Sequence, residues 1–143
     1  MESPDPNHLM VARRILQLEA AALNGGAAGE AAASTGKKLR VRLGRVFSEL
    51  GMDALLRRAV LLARGDYPFL PVFEGPESLD HFGAVLDGVG ASQAASAAEA
   101  VVVHAITLLA RFIGDDLTMR AIGEVWPGAI PAETSGATHK EQV

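Results

Sequence analysis

Residues Ser92–Ile113 read SQAASAAEAVVVHAITLLARFI. Taken as a helix at roughly 100° per residue, Thr107, Arg111 and His104 share one strip about 60° wide, and the remaining surface is small or apolar. A helix so nearly apolar all round belongs in the middle of a helical bundle. Ser92 is its expected cap and Gly114 its expected stop. The longest apolar stretch, Val101–Ile113, is interrupted by His104, Thr107 and Arg111. It falls short of the ~20 apolar residues a bilayer requires, so no membrane span is expected.

Working outward, the other segments read as helices that pack around this one. Asp5-Pro6 is a helix start, with Asp as cap and Pro in the first turn. Leu9, Ile15, Leu16, Leu18, Ala22 and Leu23 then recur at helical spacing up to Asn24-Gly25-Gly26. Residues 24–36, NGGAAGEAAASTG, lack any large apolar group and read as a flexible linker with room for a helical turn at Glu30 to Ala33. A second helix is expected over 38–50, with Leu39, Leu43, Val46 and Leu50 on one face, Phe47 beside them, and Gly51 as its stop. A third, capped by Asp53, is expected over 54–64 with Leu55, Leu56, Ala59, Val60 and Leu62 inward. Ser78 caps a short fourth helix over 79–86. Asp115 or Asp116 caps a last one over 117–126, ended by Pro127. The sequence thus predicts an all-α, compact bundle of five to six helices. It forms a single helical domain over 1–127, followed by a flexible tail over 128–143.

Composition agrees. The chain has 143 residues, 49% of them hydrophobic and 21% charged, which excludes a disordered polymer. Aromatics are 5%, so the core must be aliphatic. With Cys 0 there is no disulfide, thiolate metal site or cysteine nucleophile. A net charge of −4 argues against general binding to nucleic acid or a membrane surface. The first eight residues are acidic and proline-broken, unlike a targeting signal, so a cytoplasmic protein is expected. Abundant Ala and Gly, with Arg outnumbering Lys, fit a GC-rich bacterial coding bias.

The charge is unevenly placed. Lys37 to Arg64 carries eight basic residues against Glu49 and Asp53, a local +6. Arg40, Arg42, Arg45, Arg57, Arg58 and Arg64 would serve a helix-turn-helix that binds nucleic acid. The plainer reading is a solvated basic face that pairs with the acidic remainder of the chain. The loop 66–76, DYPFLPVFEGP, is proline-broken yet apolar. Tyr67, Phe69, Leu70, Val72 and Phe73 must pack on the bundle or on a protein partner.

Catalytic and metal motifs are weak. His8, His81, His104 and His139 include no pair at i, i+4 and no HExxH, so no helical zinc site is read. Asp80-His81 are neighbours pointing about 100° apart. Gly114-Asp115-Asp116 has the form of a polymerase metal motif but fits a helix stop and cap. Gly88–Ser92 is glycine-rich before a helix, but no strand precedes it and no Gly-Lys-Ser/Thr follows. No enzyme, cofactor or metal is therefore expected.

Arg111–Pro127, RFIGDDLTMRAIGEVWP, carries a Phe-Ile-Gly-acid-x-Leu-Thr-x-Arg…Trp-Pro pattern. It resembles the C-terminal end of a group of small, Ala/Leu-rich, uncharacterised bacterial proteins. That resemblance implies a helical bacterial protein and supplies no activity. Physically the segment is a tight helix–Gly–helix corner. The lone Trp126 is expected to be the core anchor that docks the short last helix. The functional expectation is a non-catalytic helical adaptor or assembly subunit that binds a protein partner or itself.

Overall fold

The computed structural model describes residues 5–24, 27–75 and 77–130. It is all-α: α1 (Pro6–Ala22), α2 (Ala28–Ala63), α3 (Ser78–Asp87), α4 (Ala91–Ile113) and α5 (Asp115–Val125), closed by a 3-10 turn at Pro127–Ala129. Helix α4 packs against α1, α2, α3 and α5, as its nearly all-apolar surface requires. It also has the length and hydropathy of a membrane-crossing helix, a property shared by buried core helices. Ala97, Ala98, Ile106 and Leu109 on it are fully enclosed.

Helix α1 begins as its sequence dictates. Asp5 accepts from the Asn7 N–H at 2.8 Å and Pro6 occupies the first turn. Its inward face matches the expected one only in part: Ile15 is buried and Leu9 and Leu16 pack against the core. His8, Val11, Ala12, Ile15 and Glu19 are buried, while Leu18 and Leu23 are exposed.

The expected linker is largely helix. Helix α2 starts at Ala28, and Gly29, Ala31, Ala32, Ala33, Thr35 and Gly36 are buried. The small residues serve close packing rather than flexibility. A Cβ on Gly29 would lie 2.2 Å from the Gly83 carbonyl oxygen, and one on Gly36 would lie 2.7 Å from Leu79 Cδ2. Backbone therefore meets backbone where α2 crosses α3. Residues 25 and 26 of the expected linker lie outside the described residues.

The two helices expected over 38–50 and 54–64 are two arms of α2 that meet at Ser48, whose φ of 73° and ψ of 163° break the helix. The break falls three residues before Gly51, because the Ser48 hydroxyl accepts the Gly51 N–H at 3.1 Å and caps the second arm. Asp53 is not a cap. It pairs across the corner with Arg40, Nε to Oδ1 at 2.7 Å. Leu39 and Leu43 are buried as expected, but Val46 and Leu50 project at 65% and 81% exposure. Leu62 is also exposed.

Gly90 (φ 94°) and Gly114 (φ 88°) make the turns into α4 and α5. These turns replace the side-chain caps expected from Ser92, Asp115 and Asp116. Ser78 opens α3 but does not cap it; its hydroxyl accepts the Glu74 N–H at 2.9 Å. Past Pro127 the chain stays packed for three residues, since Ala129 is buried and Ile130 lies against the core. The rest of the expected tail, 131–143, lies outside the described residues.

Candidate functional site

Two sharp corners lie side by side at one end of the bundle. Ser48 turns α2, and Gly114 turns α4 into α5. Phe47 from the first corner and Phe112 from the second stack edge to face, with centroids 6.2 Å apart. The elements that form the two corners also expose apolar side chains. Val46 is 65%, Leu50 81%, Phe112 68% and Leu117 50% exposed. A cleft runs between the two corners, lined by Val46, Leu43, Ile113, Leu117 and Ala121. Its rim holds Arg42, Arg45, Arg120 and Glu124, three cations against one anion. Arg42 pairs with Glu124 across it. A shallower groove along the outer face of α2 adds Val41 and shares Arg42 and Arg45.

The sequence offers the loop 67–73 as a candidate partner surface. Of its residues, expected to pack on the bundle or on a partner, Leu70 and Phe73 are buried in the bundle's own core. Tyr67 and Phe69 pack edge to face at 6.1 Å and are half-buried, which leaves Val72 exposed. Three prolines deny this loop a helix, so its apolar groups seal the bundle between α2 and α3 instead.

Of the six arginines of the nucleic-acid reading, three are engaged by partners within the chain. Arg40 is tied to Asp53 and lies 3.5 Å from Glu49. Arg42 pairs with Glu124. Arg57 donates to the Phe73 carbonyl at 3.2 Å. Arg64 has its Nε buried with no hydrogen-bond partner. Arg45 and Arg58 are exposed. The corner at Ser48 also divides the segment, with Arg40, Arg42 and Arg45 before it and Arg57, Arg58 and Arg64 after it.

Two polar clusters on α1 escape the sequence reading. Glu19, 2% exposed, accepts from Ser34 Oγ at 2.5 Å, Lys38 Nζ at 2.6 Å and Trp126 Nε1 at 2.7 Å. Burial pushes this carboxyl up, but the three hydrogen bonds and the Lys38 charge outweigh it and hold it below the usual range. His8, 6% exposed, sits between Thr107 Oγ1 at 3.1 Å and Asp115 Oδ1 at 2.8 Å. The available signal was spacing. His8, Ala12, Ile15 and Glu19 follow one another at three or four residues, so both polar groups ride the core-facing stripe. His104 is half-buried on α4, and burial lowers its pKa against the opposing pull of Asp66.

Comparison with family models, curated proteins and solved structures gave no match to this chain.

Proposed function

We propose that this protein is a helical adaptor of the bacterial cytoplasm that binds an amphipathic helix of a partner protein in the cleft between the Ser48 and Gly114 corners. The observation that carries this reading is the exposure of Val46 and Leu117 in one cleft, with Leu50 and Phe112 also exposed near the two corners that bound it. Covering each such side chain is worth about 1.5–3 kcal/mol, which is ample to drive association. The cleft is concave and floored by Leu43, Ile113 and Ala121. That shape accepts a helix laid lengthwise with apolar anchors at i, i+3 and i+4. A rim of Arg42, Arg45 and Arg120 against Glu124 selects acidic flanks on the incoming helix.

The test uses synthetic amphipathic helical peptides with acidic or basic flanks, anionic vesicles, and the protein's own sedimentation. Acidic-flanked peptides should bind. Val46→Asp and Leu117→Asp, both at exposed positions, should abolish that binding and melt like the parent. Binding of vesicles alone, self-association through the same residues without peptide binding, or peptide binding unchanged in both variants would overturn the reading.

A further inference from the structure

We propose that Asp5, His8 and Asp115 form a binding site for a single divalent transition-metal ion of the zinc class. The three residues come from two helix starts that meet against α4. Asp5 precedes α1, His8 lies one turn into it, and Asp115 opens α5. One ligand atom from each lies within 4.8 Å of the other two. A tetrahedral ion with bonds near 2.1 Å needs its donors about 3.4 Å apart. His8 is the fixed point, because it is more than nine-tenths buried. Asp5 and Asp115 are exposed, so their carboxylates can rotate to the required spacing, the Asp115 oxygen drawing back from its present 2.8 Å to Nε2.

The imidazole is already held as a metal ligand must be. His8 Nδ1 faces the Thr107 hydroxyl at 3.1 Å, and Nε2 faces the carboxylates. With an ion on Nε2, the ring's proton sits on Nδ1 and donates to Thr107 Oγ1. That outer hydrogen bond fixes the tautomer and the ring plane. Without an ion, Nε2 carries a proton and donates to Asp115, and the Thr107 hydroxyl turns to donate to Nδ1. The same four groups thus satisfy either state, and the ion takes the place of the Nε2 proton.

Charge and donor type fix the class of ion. Two carboxylates balance a divalent cation. One imidazole with two oxygens suits zinc and its neighbours better than calcium or magnesium, which prefer oxygen alone. Asp5 caps α1 through Oδ1, which leaves its Oδ2 free for the ion. The site opens to solvent through both aspartates, so water completes the coordination.

The experiment is titration of the full chain with zinc chloride by calorimetry, and with cobalt chloride by visible absorption. One equivalent should bind. His8→Gln and Asp115→Asn should abolish that equivalent, and Thr107→Val should weaken it about 10- to 100-fold. His81→Gln, at an exposed position, should leave it unchanged. Melting in chelator checks that each variant folds. If His8→Gln does not fold, the exposed Asp115→Asn decides. Absence of saturable binding, or the same titration in Asp115→Asn as in the parent, overturns the proposal. Equal affinity in Thr107→Val removes Thr107 as a positioning residue.

Discussion

Trp126 Nε1 donates to Glu19 Oε2 at 2.7 Å, joining the end of α5 to the end of α1 across the buried floor of the bundle. The same carboxylate binds Ser34 and Lys38 of α2. One buried anion therefore ties three helices, and of its donors the Trp126 indole is the buried one, while Lys38 reaches in from the surface. Such a group is strongly destabilising only when part of its set is removed.

Trp126 variants separate packing from this hydrogen bond. Trp126→Phe keeps an aromatic ring in place and removes the donor, and should lower stability by about 1.5–3 kcal/mol. Trp126→Ala also opens a cavity against Ile122 and Ala129 and should lower it by about 3–5 kcal/mol. Chemical denaturation of both reads the difference. An alanine variant as stable as the parent would remove Trp126 from its anchoring role.

The Glu19 cluster also sets a pH dependence. Its carboxyl is held below the ordinary glutamate range when folded. The folded state therefore binds fewer protons than the unfolded chain in that range, and its stability falls as pH falls. The Glu19 contribution is complete above the usual glutamate pKa and is lost as pH drops through the lowered folded value. His104 acts in the same direction at higher pH, since its folded pKa is lowered by burial. Melting temperature should decline in acid, and Glu19→Gln should flatten the lower part of that decline. An unchanged slope in Glu19→Gln would show that other carboxylates carry the acid loss.

The helices were legible in the sequence because Asp5-Pro6, Gly114 and Pro127 punctuate a chain rich in Ala and Leu. The all-apolar character of Ser92–Ile113 placed that segment at the centre. What misled was any inference from residue size to mobility or exposure. The small residues at 28–36 pack tightly because they are small, and the apolar loop at 67–73 took the first of its two expected courses, with Leu70 and Phe73 in the core. The binding surface was hidden for a related reason. Periodicity put Val46 and Leu50 on the inward stripe with Leu43, but the first arm ends at Ser48: Leu43 is buried, while Val46 just before the break and Leu50 just after it are exposed. No local residue announces the break, because serine is an unusual occupant of such a backbone conformation.

Gly29 tests whether close packing governs the α2–α3 crossing. Gly29→Ala should drive α3 away and lower stability by about 1–3 kcal/mol, since the new methyl group would meet backbone rather than a movable side chain. Gly44 lies on the same helix, and its nearest neighbour to an added Cβ is Glu49 Cγ at 3.8 Å. Gly44→Ala should instead raise stability by about 0.5–1 kcal/mol, as replacing a helix-interior glycine does. Equal effects from the two substitutions would contradict the close approach.

Ser48 makes the sharpest test of the corner that shapes the cleft. Its φ of 73° with ψ of 163° lies in a region occupied almost only by glycine, at a strain of about 1–3 kcal/mol. Its hydroxyl offsets part of that strain by accepting the Gly51 N–H. Ser48→Gly removes the strain and the cap together, and glycine adds freedom to the unfolded chain, so the expected net gain is about 1 kcal/mol. Ser48→Ala keeps the strain and loses the cap, an expected loss of about 0.5–2 kcal/mol. The order of stability should be glycine, then serine, then alanine. A helix running straight through residue 48 would give the reverse order, because alanine is the best helix former and glycine among the poorest. Denaturation midpoints of the three proteins distinguish the two orders, and the reverse order would also remove the turn that separates Val46 from Leu50.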